Sequence, residues 1–560
     1  MKKFIIIILV ISAFGCEDFL DEKSLENYTL DNFYQSVGQL EIGINGMFWT
    51  LTRIPQATDW TAYTEGVPGY LTYPIQGDRT HHFISCNINN MEGWINWEGI
   101  WYWFYQGIEQ ANVAVSRLNS IPTDSEAEEE MLKVLSGEVY FLRGFFFWDA
   151  VQLFGEIIPL KTEPTFGLEG SVIPPAKEGE IFAQIESDWK MAIENLPDKS
   201  YLDQGSRPYK ALAQAYLAKL YLRRGQLTNN QSDFDEAAKL AAEVITSDKV
   251  GLYENIDVGS LDPGLQASSR YPSLDALHSI TWERGKERMF VANIVENVRQ
   301  SGDYKVGICS FPPDLLYWGG KTTKAQVDII GDGPVWWNNP EIIPVEEMLK
   351  IGTQYPWDNR FKNRGWIYTS IVNEQGDSIV IGEGVPKITA AIYRFFDENI
   401  MFHSGEFRYR APALDYALMR YPDVIFDYAE AVAMGGGKVN GVDPIFHLNK
   451  VRNRGGEGNA VSVPQLSGPV TLDMVVEERF RETVYDGHSL FDISRTKRAV
   501  EISLDGTIVV KPYTDAVRAV FRANNQLITP EISVPEFLSE KDFYLPIPMN
   551  ELLNNPYLSK

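Results

Sequence analysis

Asp423, Asp427 and Glu430 are spaced i, i+4 and i+7, so on a helix they share one face. Two carboxylates flanking a sugar are the machinery of glycoside hydrolysis: one protonates the leaving oxygen, the other serves as base or nucleophile. Helical spacing alone does not set the carboxylate separation that this chemistry needs. With 76 acidic residues in the chain, such a trio arises readily from composition. Arg420 stands three residues ahead of Asp423, and we read the trio as structural, a solvated face or partners for that arginine. The single histidine pair is His81-His82. Side chains of adjacent residues diverge on a helix or strand, and no further His is close in sequence, so no metal site is expected. There is no phosphate-cradling glycine loop and no nucleophile elbow. We therefore expect no catalytic residues and no cofactor. The short basic run Lys450 to Gly456 is read as part of the fold.

A different chemistry is signalled at Cys16. Lys2 and Lys3 precede an apolar run from Phe4 to Phe14, about eleven residues, which matches a signal-peptide core and is too short to span a bilayer. Gly15 precedes Cys16, as at a bacterial lipoprotein cleavage site, where the thiol accepts a diacylglycerol. An added amide-linked chain makes such anchoring stable. Residues 1–15 are read as the signal peptide and Cys16 as the lipidation site. No other apolar run approaches the roughly 20 residues of a membrane helix. The net charge of −26 repels phosphate and offers anionic lipid no polybasic patch, which argues against nucleic acid as a partner. Glu17, Asp18, Asp21 and Glu22 form an acidic tether. For Cys86 and Cys309, a disulfide and a free buried pair both remain open.

The elements that must position any site are mostly helical. Leu132, Leu135, Val139, Leu142 and Phe146 recur with a 3.6-residue period over 127–153. The pattern repeats over 208–224, where Gly225 is expected to stop the helix, and over 233–247. A short turn between two Ala-rich helices is the unit of tetratricopeptide-like arrays. Further helices are expected at 97–119, 178–195, 415–434, 443–453 and 471–485. Over 250–410 Gly, Pro and aromatics break the period, and 378–382 and 389–396 read as short strands. Twelve of the 14 Trp fall within 49–103 and 282–366, away from the regular repeats. That placement suits a binding surface in irregular segments, or small aromatic cores beneath loops.

The block EVYFLRGFFFWDAVQLFGEIIPL (138–160) is an amphipathic helix whose aromatics are core material. Here the chain resembles the SusD/RagB family of Bacteroidetes surface lipoproteins. The resemblance recurs in order through WYWFYQGIEQANVAV (101–115), YKALAQAYLAKLYL (209–222) and LMRYPDVIFDYAEAVA (418–433), the last through Arg420, Asp423 and Glu430. LNKVRNRGG (448–456), EERFRETVYDGHSLFDISR (477–495) and DFYLPIPMNELLNNPYL (542–558) complete it. Ser489 and Leu490 depart from the family's Arg and aromatic, which puts one structural ion pair in question.

The resemblance implies a mainly α fold, a tetratricopeptide-like scaffold with a large irregular insert of loops and short strands. One domain is expected over 16–560, with the scaffold at about 30–250 and 411–560 and the insert at about 250–410. It further implies an outer-membrane, surface-exposed protein that captures oligosaccharide and passes it to a SusC-like TonB-dependent transporter, sitting on it as a lid. A sugar ring offers an apolar C–H face and a rim of hydroxyls, so recognition needs an aromatic platform and a few polar groups. Trp94, Trp97, Trp318, Trp336 and Trp337 are the expected platform, because they are read as lying in loops. Tyr73, Asp78 and Arg79 are the expected edge contacts. Two rival readings are a binder of peptide or another non-glycan nutrient on the same scaffold, and a surface glycoside hydrolase.

Overall fold

The computed structural model describes residues 33–57, 97–165, 172–200, 207–262, 343–372, 415–518 and 536–558, with shorter stretches between them. The first helices are α1 (Val37–Ala57), α2 (Trp97–Arg117), α3 (Glu126–Phe154), α4 (Glu180–Asn195), α5 (Lys210–Thr228) and α6 (Gln231–Thr246). Each packs on the next, which is the tetratricopeptide-like arrangement that the periodicity implied.

α3 is the axis of this array. Ser125 caps its start by accepting from the Glu128 amide at 3.3 Å, and Glu128 returns a bond to the Asp124 amide at 2.7 Å. Its second half, Gly137 to Phe154, is apolar on almost every side and is buried between α2 and α4, apart from Tyr140. Gly155, at φ 76°, ends it. Glycine lets the helices approach closely: a Cβ on Gly144 would lie 2.6 Å from the Trp189 indole nitrogen of α4. That indole donates to the Phe141 carbonyl at 3.2 Å.

Gly225 does not stop α5. The helix runs on to Thr228, and Asn229 takes the left-handed cap at φ 53°. Gly225 instead makes room for Phe234 and Asp233 of α6, each about 3 Å from where its Cβ would be.

Beyond α6, the described elements of the irregular region include β1 (Arg288–Ala292), α7 (Ile343–Gln354) and the short strands β2 (Ile367–Tyr368), β3 (Ser370–Val372), β4 (Ser378–Val380) and β5 (Ala391–Ile392). The strands pair β2 with β5 and β3 with β4. The helix expected over 415–434 is two elements. β6 (Tyr416–Arg420) pairs antiparallel with β1, and α8 (Tyr421–Ala433) starts only after it. Pro422 explains the break, since proline suits the first turn of a helix and not its interior. Asp423 completes the start by accepting from the Arg420 amide at 2.9 Å.

α9 (Pro444–Gly455), α10 (Leu472–Thr483) and α11 (Ser489–Thr496) follow, then the hairpin β7 (Arg498–Ile502) and β8 (Ile508–Pro512), and α12 (Met549–Asn554). At the family departure, Ser489 opens α11 and gives a different contact from an ion pair. The buried Glu65 carboxylate accepts from the amides of Gly487, His488 and Ser489 at 3.1 to 3.2 Å and from the Ser489 hydroxyl at 2.6 Å. Burial pushes this carboxyl up to about 7, against the pull of the Ser489 bonds.

A buried lattice of arginines and carboxylates ties the irregular region to the C-terminal helices. Arg360 pairs with Asp358 at 2.8 Å, Glu478 at 2.9 Å and Glu482 at 3.2 Å. Glu482 also holds Arg420 at 2.9 Å and Arg454, while Glu287, just before β1, reaches Arg420 and Arg454 at 3.0 Å each. Arg452 joins through Glu478 at 2.6 Å. Both arginines of the basic run Lys450 to Gly456 are thus buried parts of the fold.

Candidate functional site

Tyr73, Asp78, Arg79, Trp94, Trp318, Trp336 and Trp337 lie outside the described residues, as do Cys16, His81, His82, Cys86 and Cys309. Trp97 corrects one expectation: it opens α2 instead of standing in a loop. Five and six residues further along the same helix, roughly 8 to 9 Å up its axis, come Tyr102 and Trp103.

These two meet Trp49 of α1. α1 and α2 are amphipathic: Leu40, Ile44, Met47 and Leu51 of one, and Trp101, Phe104, Ile108 and Ala111 of the other, enter the core. Trp49, Tyr102 and Trp103 are left on the outer flank of the pair. Trp103 is half-buried and acts as the fixed ring. Trp49 stands edge-to-face with it at 5.4 Å between centroids, and Tyr102 does so at 5.0 Å. Trp49 remains 47% exposed and Tyr102 55%, so two large rings present surface to solvent from a fixed base. Arg53, one turn beyond Trp49, places its guanidinium 4.6 Å from the Trp49 centroid and 5.9 Å from that of Trp103. The Thr50 hydroxyl donates to the side-chain Oε1 of Gln110 on α2 at 3.0 Å, which helps to fix the register of the two helices.

Polar groups continue along α1. Asn45, one turn before Trp49, accepts from Arg207 at 2.7 Å, and Arg207 stacks 5.6 Å from the Phe48 centroid. Arg207 also pairs with the buried Glu138 of α3, whose carboxyl burial pushes up to about 7 while Arg207 opposes the shift. The chemistry available here is that of recognition: ring faces for C–H contacts, with amide and guanidinium groups near the edge.

Residue spacing alone did not single out this group. The segment 101–115 was legible as a helix, yet which of its aromatics faced outward depended on α1. The signal was present in consecutive Trp101, Tyr102 and Trp103, because three adjacent rings on a helix cannot all enter one core. Trp357 and Trp366 of the second Trp-rich segment are buried, Trp366 donating to the Arg481 carbonyl at 2.8 Å.

The acidic trio of α8 is internal. Asp427 and Glu430 both bind Arg479 at 2.9 Å, Glu430 also binds Arg495 at 2.9 Å, and Asp423 caps its own helix. The trio is engaged with the fold, as partners of arginines and not as a solvated face. Among the described residues no His, Cys, Asp and Glu group is arranged to hold a metal, and no helix is long and apolar enough to cross a membrane.

The comparisons with known proteins agree with this architecture. Residues 72–222 match a family model described as "Starch-binding associating with outer membrane", and residues 385–560 match the model of the SusD family. A SusD-like protein, P2 of Formosa agariphila, is 24% identical over 585 aligned positions, covering 100% of this chain and 99% of the relative. Among solved structures, a SusD superfamily protein from Parabacteroides distasonis aligns over 93% of this chain and 98% of its own, with a TM-score of 0.68 at 18% identity. A laminarin-binding SusD-like protein aligns over 93% of this chain and 98% of its own, with a TM-score of 0.61 at 19% identity. Two family models that together take in more than half of the chain, a relative aligned end to end, and the shared helical fold lead to one assignment: this chain belongs to the SusD/RagB family.

Proposed function

We propose that this protein is a cell-surface glycan-binding lipoprotein, anchored through Cys16, that captures oligosaccharide and delivers it to a SusC-like TonB-dependent transporter on which it sits as a lid. The observation that carries the glycan reading is the Trp49, Tyr102 and Trp103 platform, with exposed rings held by a half-buried one. The laminarin-binding relative of the same fold supports the ligand class. Trp94, Trp97, Trp318, Trp336 and Trp337, with Tyr73, Asp78 and Arg79, are proposed as further sugar contacts. Trp97 opens the helix that bears Tyr102 and Trp103. A hydrolase is disfavoured because the α8 carboxylates are committed to arginines.

The test is a glycan-array screen of the purified protein, followed by calorimetry and chain-length analysis of each bound glycan. Binding with the chain length unchanged is the expected result. Absence of any glycan ligand alongside binding of peptides would overturn the reading, and so would cleavage lost on replacing one carboxylate.

The partnership follows from what a tethered binder cannot do, which is to move its ligand inward. A lid over a barrel mouth needs a large contact, on the order of 2,000 Å² or more. Mild-detergent pull-down from native outer membranes is expected to recover a barrel of the transporter class, and Cys16→Ser is expected to lose lipid labelling and membrane retention. Recovery of the lipoprotein alone, where other outer-membrane complexes survive, would count against the lid.

A further inference from the structure

A small cavity lies between α3, α5, β6 and α11, with about 40 Å³ open to the centres of water-sized molecules. At roughly 10 to 15 Å³ per water, that is room for about three waters or one small ion with a water. Its wall is unusually charged for an interior: Asp149 and Gln152 from α3, Lys219 and Arg223 from α5, His488 just before α11, and Asp492 and Arg495 from α11.

Most of these charges have partners. Arg495 binds Glu430 at 2.9 Å and also Asp492. Asp492 is shared with Arg479 at 3.4 Å, and Lys219 faces Asp427 at 3.5 Å. Arg223 differs. It is 3% exposed, its Nη2 lies 3.4 Å from the Tyr544 hydroxyl, and its Nε has no hydrogen-bond partner. Among the described residues no carboxylate comes within ion-pair distance of it. Glu156 acts on it only at longer range, and that carboxylate accepts from the Gly179 amide at 2.7 Å.

A guanidinium cannot shed its charge in a protein as a buried lysine can, and an isolated buried charge is costly. The Asp149 carboxyl is a poor counter-charge. Burial pushes it up to about 8, so near neutral pH it is mostly protonated, and its nearest hydrogen bond is a long 3.4 Å contact from Gln152. Burial likewise keeps His488 below its ordinary value.

We propose that this cavity is a binding site for a small monovalent anion such as chloride, held against Arg223, the lining cation that no described carboxylate pairs. Bound there, the ion would brace α3 and α5 against α11.

The test uses the full mature chain in sodium chloride, bromide or gluconate at equal ionic strength near pH 7, gluconate being too large to enter. Thermal unfolding is expected at a Tm a few degrees higher in halide than in gluconate, as for a ligand bound by the native state alone. Arg223→Met is expected to abolish the difference, while Asp149→Asn retains it. Bromide-soaked crystals of the wild-type protein should give an anomalous peak beside Arg223. Equal halide responses in wild type and R223M would show a generic salt effect and overturn the site. Equal Tm values in all three salts with no bromide peak would do the same and leave Asp149 as the counter-charge.

Discussion

Trp103→Ala is expected to weaken binding of a captured oligosaccharide about thirtyfold, with Trp49→Ala and Tyr102→Ala close behind. The magnitude is that of a stacking hot spot, about 2 kcal/mol on truncation, at about 1.4 kcal/mol per tenfold. Trp103 leads because it acts twice. Its ring contributes contact area, and it holds Trp49 and Tyr102 at fixed edge-to-face angles near 80° and 74°. Without it, both exposed rings regain rotamer freedom that binding must then remove. Phe446 is the control. It is 57% exposed on α9, with Lys450 5.6 Å and His447 5.2 Å from its ring and no part in the platform, so Phe446→Ala should leave affinity unchanged. Calorimetry on variants that melt like the parent decides the matter. If the three variants bind as the parent does, the platform is not the sugar surface, and the test passes to Trp94, Trp97, Trp318, Trp336 and Trp337.

The parts of this fold that were legible are those governed by local pattern. α3 and α6 follow from a 3.6-residue apolar period plus a cap or a stop, and Gly155 ends α3 because glycine alone takes that backbone turn without cost. What local pattern could not reveal depends on partners far away in the chain. β6 reads as the start of a helix until β1, about 130 residues earlier, is beside it. Gly225 has the right type and place for a helix stop, but contact with Phe234 gives it another use. The platform is of the same kind, since Trp49 and Trp103 are separated by 54 residues and only the packing of α1 on α2 shows that they meet. Composition already weighs against a catalytic role for Asp427 and Glu430, and their ion pairs show them to be structural. Their actual partners, Arg479 and Arg495, were not visible from the α8 segment.

The same distant pairing gives the largest expected effect on stability. Glu482→Gln should destabilise the folded chain by about 3 to 5 kcal/mol, the cost of removing one partner from a buried ion pair. Glu482 is fully buried and meets Arg360, Arg420 and Arg454 together. Glutamine fills the space but removes the negative charge on which three guanidinium groups converge. Lys177–Glu180 is the contrast: the lysine is 88% exposed and the pair spans one turn, so Glu180→Gln should cost well under 1 kcal/mol. Urea unfolding of both variants measures the difference through midpoints at constant slope. A loss below about 1 kcal/mol in E482Q would mean that water reaches the lattice and screens it. A double-mutant cycle with Arg454→Met then separates charge from packing. If the lattice works through charge, the two changes compensate and the double variant is less destabilised than the sum of the singles by about 0.5 to 3 kcal/mol. If the loss is only one of shape, the two effects add. Because Arg360, Glu287 and Arg420 come from the irregular region and its border, the first outcome also means that this region is held on the helical scaffold chiefly by buried ion pairs.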